Sequence, residues 1–433
     1  MRALGPLEYV VALADRAARL NFVMVADLRG PLDGETLRAA LAAAQRRHPL
    51  LRVRLAPHRW RRLAFAEIDT PIPLCVEDCA PEAVPARCAH EALTALPEAE
   101  GPLVRAVLLH TGPERHALLL AFHHAIGDGT SGTWLLRDVL AAMVGPVSAA
   151  PVPAPIEHHM PRWSFGVRGV WAHLRFVTRT LGRLRRLRGI PGYQIAGAPR
   201  IAGSDCGLYI ERRDVPPAIT QILAARCKRE GTTVHGALGA ALLLAAFVES
   251  DGRPVVGLGS PVNLRDRLNP PVGGDVGLFI TMVAGLHRLD PQPDFWDLAR
   301  EVRSELHAMA ERGDVFAAIP FQARFLAALA PWLGRGAAGA RRLMAIARLI
   351  WLKGVGLSNL GRVDIDAQVG PLAVDAVGFC AAPTNFGDLV AFAATVGGHM
   401  TLHFVGVTPH VPEAALTRIA DAVMSRIQAE STP

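Results

Sequence analysis

The sequence predicts an α/β (α+β) protein built as two lobes of similar size, each a mixed sheet with helices. Three observations carry this expectation. The chain has 433 residues, enough for two or three domains. Apolar residues make up 51% of it and charged residues 20%, which excludes a disordered or collagen-like chain. Strand-like and helix-like apolar patterns alternate in both halves, without the spacing of a regular βαβ array.

In the first half, residues 21–29 alternate as a strand that closes at Pro31-Leu32-Asp33-Gly34. Asp33 is placed to cap a helix carrying Leu37, Leu41 and Ala44, which ends at Arg46-Arg47-His48-Pro49. Residues 50–55, 104–109 and 116–122 read as further strands. The last runs straight into His123-His124-Ala125-Ile126-Gly127-Asp128-Gly129, and a helix follows over 133–143. The Pro/Ala-rich residues 147–155 read as a linker. The second half offers strands at 207–211, 254–258 and 400–404 and helices at 217–228, 234–248, 301–311 and 412–428. Thr232 and Thr233 are placed to cap the helix over 234–248. The expected division is 1–155 for an N-terminal lobe, 156–199 for a basic amphipathic linker helix and 200–433 for a C-terminal lobe.

The net charge of +7 hides an asymmetry. From His158 to Ser204 there are nine arginines and no acid; from Val315 to Val363 there are six arginines, one lysine and again no acid. Together these stretches carry +16 and leave −9 for the rest. Such concentration points to an anionic partner. Nucleic acid is the least favoured, because only 6% of residues are aromatic and no finger, RNP or helix-turn-helix pattern occurs. In the first stretch Val170, Leu174, Val177, Leu181 and Leu184 form an apolar stripe, with Arg168, Arg175, Arg179, Arg183 and Arg186 roughly opposite. One reading packs the stripe across the lobes and leaves a wet basic back. The other makes Arg175, Arg179 and Arg183 a dock for an acidic acyl carrier protein or an anionic membrane. In the second stretch, Leu343, Met344, Ile346, Leu349, Ile350, Trp351 and Leu352 suit core, tunnel wall or lipid-facing surface.

No apolar run reaches the ~18–20 residues of a membrane span, and the longest, 237–248, reads as a buried helix. The N-terminus lacks a signal layout, and six cysteines in a chain this long make no disulfide scaffold. Reduced thiols in a cytoplasmic protein are expected, with membrane contact as an alternative. Cys75, Cys79, Cys88 and His90 match no common zinc spacing, so no metal site is expected. His158-His159 is expected in a solvated loop.

The strand-end histidines carry the chemistry. Period-two geometry puts His123 and His124 on opposite faces, so one can meet a cleft while the other packs inside. Asp128 and Gly129 suit a tight turn, with glycine tolerating a positive φ. A histidine held at a strand end is a natural general base.

The full His-His-x-x-x-Asp-Gly string after an apolar strand resembles the chloramphenicol acetyltransferase-like superfamily, and within it the stand-alone condensation-domain-type acyltransferases. These include polyketide-associated transferases that esterify lipid diols, and wax ester synthase/diacylglycerol acyltransferases. Residues 28–33 with Leu37, Ala40, Leu41 and 47–52 are similar to the first strand–helix–strand of those proteins. Residues 261–267 with Val276-Gly277 resemble their second-lobe signature, and Ser358-Asn359-Leu360-Gly361 their late turn. Plant-type members end in D-F-G-W-G where this chain has Thr384-Asn385-Phe386-Gly387-Asp388, and true chloramphenicol acetyltransferases carry the histidine motif near the C-terminus. Both subfamilies are set aside.

The resemblance implies two chloramphenicol acetyltransferase-like lobes with an active-site tunnel between them. It implies acyl transfer from a thioester, on coenzyme A or a carrier-bound phosphopantetheine, to an acceptor hydroxyl, with no bound cofactor. His124 would be the base; His123, Asp128 and Gly129 would shape its loop. Asp128 would pair with an arginine. Arg265 is expected in that role, since it matches the motif better than Arg267 and a buried lone carboxylate is costly. Ser358, Asn359 and Asn385 are candidates for oxyanion stabilisation or tunnel lining. Alternatives are a wax ester synthase/diacylglycerol acyltransferase at a membrane surface, an amide-forming condensation enzyme, and a non-catalytic carrier-protein binder. The intact His124 and Asp128 argue against the last.

Overall fold

The structure, a computed structural model, describes residues 2–58, 62–148, 150–186, 193–198, 206–250, 252–319, 323–333, 338–343, 354–383 and 387–431. Its strands are β1 (Arg2–Ala3), β2 (Asn21–Arg29), β3 (Val53–His58), β4 (Arg62–Glu67), β5 (Leu74–Asp78), β6 (Val104–Gly112) and β7 (Arg115–His123) in the first half. The second half adds β8 (Gly207–Val215), β9 (Val255–Asn263), β10 (Ile280–Arg288), β11 (Gly354–Arg362), β12 (Gln368–Val369), β13 (Leu372–Ala381), β14 (Leu389–Val396) and β15 (His399–Thr408).

Among the described residues these strands make two six-stranded sheets, in the orders β12-β13-β2-β7-β6-β5 and β10-β9-β11-β14-β15-β8, and a small third, β1-β4-β3. The first is antiparallel apart from β5 beside β6. In the second, β11 runs parallel to both β9 and β14. From His116 to His123 every residue of β7 is buried, which is why this strand reads as an unbroken apolar run instead of alternating. The helices Gly34–Arg47, Val84–Leu93 and Gly129–Ala142 contribute apolar faces to the first core. The second core is closed by Val234–Glu249, Phe295–Glu311 and Glu413–Glu430. The caps expected from sequence are present: Asp33 accepts from the Thr36 amide at 2.7 Å, and Thr233 from the Gly236 amide at 3.1 Å.

The sheets do not respect a division at residue 200. Residues of β12 and β13 complete the N-terminal sheet, β13 pairing with β2 so that Phe379 faces Met24 and Ala381 faces Phe22. One edge of β2 is taken by β7; the other, left bare, would expose unpaired backbone and apolar side chains. A strand from late in the chain covers it.

Several local expectations are also corrected. Residues 50–52 belong to a 3-10 turn, Pro49–Arg52, and β3 starts at Val53; Pro49 has no amide to give to a ladder. The helix expected from 133 begins at Gly129, capped by Asp128. Gly129 does not adopt a positive φ. A Cβ there would lie 2.8 Å from Leu360 Cδ2 and 3.3 Å from Phe22 Cζ, so the Leu360 side chain would have to shift to admit one. The helix expected from 301 starts at Phe295, where Asp294 caps the Trp296 and Asp297 amides. His158 and His159 lie on a short helix, Ile156–His159, not in a loop, and the half-buried His159 ring meets Phe279 edge-on at 6.1 Å. Of the apolar residues named in the second acid-free stretch, Leu343 is buried and the others lie outside the described residues. Among the described residues, no single helix is long and apolar enough to cross a membrane.

Candidate active site

Strand β7 delivers the two histidines into different surroundings. His123 is fully buried, and its Nδ1 accepts the Ala125 amide at 3.0 Å. Its proton therefore sits on Nε2, which faces the Asp15 carboxylate at 3.6 Å and Glu98 at 4.0 Å. Burial holds the His123 pKa below its ordinary value despite these two carboxylates. Asp15, Glu98 and His123 bring their ligand atoms within 4.8 Å of one another. With Nε2 protonated, however, the imidazole offers a donor and not a lone pair, and Arg16 and Arg19 already pair with the two carboxylates. The His123 Nε2–H reaches neither carboxylate within hydrogen-bond distance, and the donor set does not suit a metal.

His124 is half-buried, and its Nδ1 lies 2.8 Å from the Gly127 carbonyl. A carbonyl can only accept, so Nδ1 carries the proton and Nε2 is left with the basic lone pair. The ring stands edge-on to Phe22, centroids 5.8 Å apart. Phe22 in turn packs on Phe122 and Phe379, and Phe379 on Phe392 of the second sheet. The base candidate therefore sits where the two sheets meet.

Behind it, Asp128 and Arg265 form an ion pair 2.9 Å long, with side chains 0% and 2% exposed. The Asp128 carboxylate also accepts the Ser131 amide at 2.9 Å and the Phe279 amide at 2.8 Å. The Arg265 guanidinium donates further to Asn263 Oδ1, the Gly277 carbonyl and Ser131 Oγ. Trp134 and Phe279 cover it, each ring centroid 4.9 Å from Cζ. Arg267, by contrast, is exposed. Ser131 is the hub that sequence reasoning missed: its Oγ accepts from Arg265 and from the Gly277 amide and lies 2.7 Å from the Gly277 carbonyl. Its only signal was position, three residues into a helix capped by Asp128. Trp134 and Phe279 gave no signal at all.

The remaining candidates are scattered. Ser358 and Asn359 are half-buried in β11, and Asn359 Oδ1 accepts the Gly361 amide at 2.7 Å, leaving its NH₂ end as the available donor. The turn expected at Ser358–Gly361 is strand instead, and Leu360 of that strand lies against Gly129, so β11 borders the His124 loop. Asn385 lies outside the described residues. Arg175 is exposed on the helix Val167–Arg186, far along the chain from the histidines. Arg179 on the same helix is tied to buried Asp314, and the side chain of Arg183 lies outside the described residues.

Two family models match the chain, "Condensation domain" over residues 9–164 and "Phthiocerol/phthiodiolone dimycocerosyl transferase C-terminus" over 210–368. The first contains His124 and Asp128, the second Arg265. Each model covers a little over a third of the chain, one in each half. Among solved structures, the fold is similar to that of polyketide synthase associated protein 5 from Mycobacterium tuberculosis, with TM-score 0.69, 17% identity, and coverage of 100% of this chain and 98% of that one. The trichothecene 15-O-acetyltransferase TRI3 from Fusarium sporotrichioides gives TM-score 0.72 at 13% identity, covering 99% and 95%. In sequence, the phosphinothricin tripeptide synthetase PhsC of Streptomyces viridochromogenes is 29% identical over 311 residues, 67% of this chain. The chain spans 27% of PhsC, and as little as 2% of other curated relatives it matches.

Proposed function

We propose that the protein transfers an acyl group from a thioester to an acceptor hydroxyl, with His124 as the general base. The observation that carries this reading is the Nδ1–Gly127 hydrogen bond, which fixes the tautomer and leaves Nε2 basic. The acceptor O–H gives its proton to Nε2 while its oxygen attacks the thioester carbonyl. The tetrahedral oxyanion collapses, the C–S bond breaks, and the imidazolium returns the proton to the departing thiolate. Asp128, Arg265 and Ser131 act as positioning residues for the loop. Ser358 and the Asn359 NH₂ group are the candidates to stabilise the oxyanion, since their strand meets Gly129 through Leu360. The donor is acyl-coenzyme A or an acyl-phosphopantetheine on a carrier protein.

A hydroxyl acceptor is favoured by the O-acetyltransferase and dimycocerosyl transferase likenesses. An amine acceptor is the second reading, favoured by the likeness to a tripeptide synthetase. The test is thiol release from acyl-coenzyme A and from acyl-carrier protein, with alcohols or amines added, and mass spectrometry of the products. Acceptor-dependent thiol release with ester product supports the proposal. Amide product alone moves it to the second reading, and no transfer with either donor overturns it.

A further inference from the structure

The helix Val167–Arg186 does not pack as an apolar stripe against the lobes. Its inward side is made by Gly169, Ala172, His173 and Phe176, and Arg179 is tied to Asp314. Gly169 is required there, because a Cβ would lie 2.1 Å from the Ser164 carbonyl oxygen. Of the stripe, Val177 is half-buried and the Leu184 side chain lies outside the described residues, but the rest is in the open. Val167, Val170, Trp171, Leu174 and Leu181 are all exposed, Trp171 by 59% and Leu181 by 53%. At ~100° per residue they fall within an arc of about 100°, running ~21 Å along the helix. Arg168 and Arg175, both exposed, flank that arc.

The second acid-free stretch adjoins the first in space. Trp163 meets Phe316 edge-on at 6.2 Å, and the Arg324 guanidinium lies 4.5 Å over the Phe165 ring. Just beyond, Phe325 is exposed and Trp332 is 86% exposed. Two segments separated by more than a hundred residues thus merge their positive charge beside a row of exposed apolar and tryptophan side chains. Contiguous exposed apolar surface of this kind marks an interaction site.

We propose that this face docks on an anionic phospholipid surface, with the Val167–Leu181 stripe seated at the headgroup–acyl boundary and the flanking arginines on phosphates. A bilayer accepts loosely spaced apolar side chains at shallow depth and favours tryptophan at its interface. A second copy of the chain is disfavoured, since it would bring two strongly positive stretches together. The proposal goes beyond acyl transfer and does not rest on it, because it is read without substrate.

The experiment is co-sedimentation of the full chain with phosphatidylcholine vesicles, with and without one-third phosphatidylglycerol. At low salt, binding to the anionic vesicles should be at least ~10-fold tighter, and the preference should collapse near 1 M salt, where the Debye length is about 3 Å. Arg168→Glu/Arg175→Glu should weaken anionic-vesicle binding at least ~10-fold, and Trp171→Ser/Leu174→Ser should weaken binding to both vesicle types. Unchanged thermal midpoints are expected for both variants. Absence of vesicle binding, or binding that neither variant alters, overturns the proposal. So does an arginine variant that fails only in lipid-free transfer from a carrier-bound donor, which assigns the face to an acidic protein.

Discussion

The His124 loop is joined to the second half of the chain through charge, whereas β13 is joined to the second sheet through apolar packing. At the first junction, a buried carboxylate and guanidinium are surrounded by Ser131, Gly277 and Phe279, with nearly every polar atom partnered. At the second, Phe379, stacked on Phe22, meets Phe392 of the second sheet edge-on, and Gly378 leaves room for the buried His403 of β15. Apolar packing is cohesive but tolerates small shifts of side chain. A hydrogen-bonded ion pair tolerates little, because a misplaced partner leaves a charge unsolvated. The polar clip therefore suits fixing a catalytic loop, and the apolar seam suits holding the halves together.

The largest expected effect breaks the clip. Asp128→Ala or Arg265→Gln alone should cost ~3–5 kcal/mol in chemical denaturation, by stranding the other charge. The double variant should cost less than the sum of the two. Strictly additive costs would mean two independent contacts and no clip.

Next comes the seam. A Cβ on Gly378 would lie 2.3 Å from His403 Cε1 and 2.7 Å from its Nδ1. Gly378→Val should thus cost ~1–3 kcal/mol by overpacking, and His403→Ala in the same chain should recover part of it. An unchanged denaturation midpoint for Gly378→Val would show that the seam is loose.

The smallest effect, taken per pH unit, is a slope of stability with acidity. Burial pushes the His403 pKa down to about 3, Arg212 adding to the fall. Between this and the ordinary ~6.5, the unfolded chain binds a proton that the folded one refuses, so stability is full above ~pH 6.5 and falls on acidification. His403→Gln should remove up to one proton, ~1.4 kcal/mol per pH unit, from that slope. Equal slopes for both proteins in pH-dependent denaturation would place His403 in contact with water.

What was legible in the sequence was local. The strand ending in His123-His124, the Asp33 and Thr233 caps and the amphipathic helix all depend on residues a few positions apart. Asp128 was legible as important, but its glycine neighbour suggested a turn, and its capping of the Gly129–Ala142 helix was missed. Arg265 stands 137 positions from Asp128, and a family resemblance, not periodicity, pointed to it. The crossing of β13 was invisible, because a strand's pattern gives its faces and not the edge it will pair with. The same limit applied to the basic helix: the wheel showed a stripe but not which side meets the protein.

The most direct test of the catalytic reading is the turnover of purified His124→Ala protein, measured beside its denaturation midpoint. Among the described residues, the His124 side chain hydrogen-bonds only within its own loop, so a base role predicts a ~10²–10⁴-fold loss of turnover with little change in midpoint. Near-normal transfer by folded His124→Ala protein would contradict it.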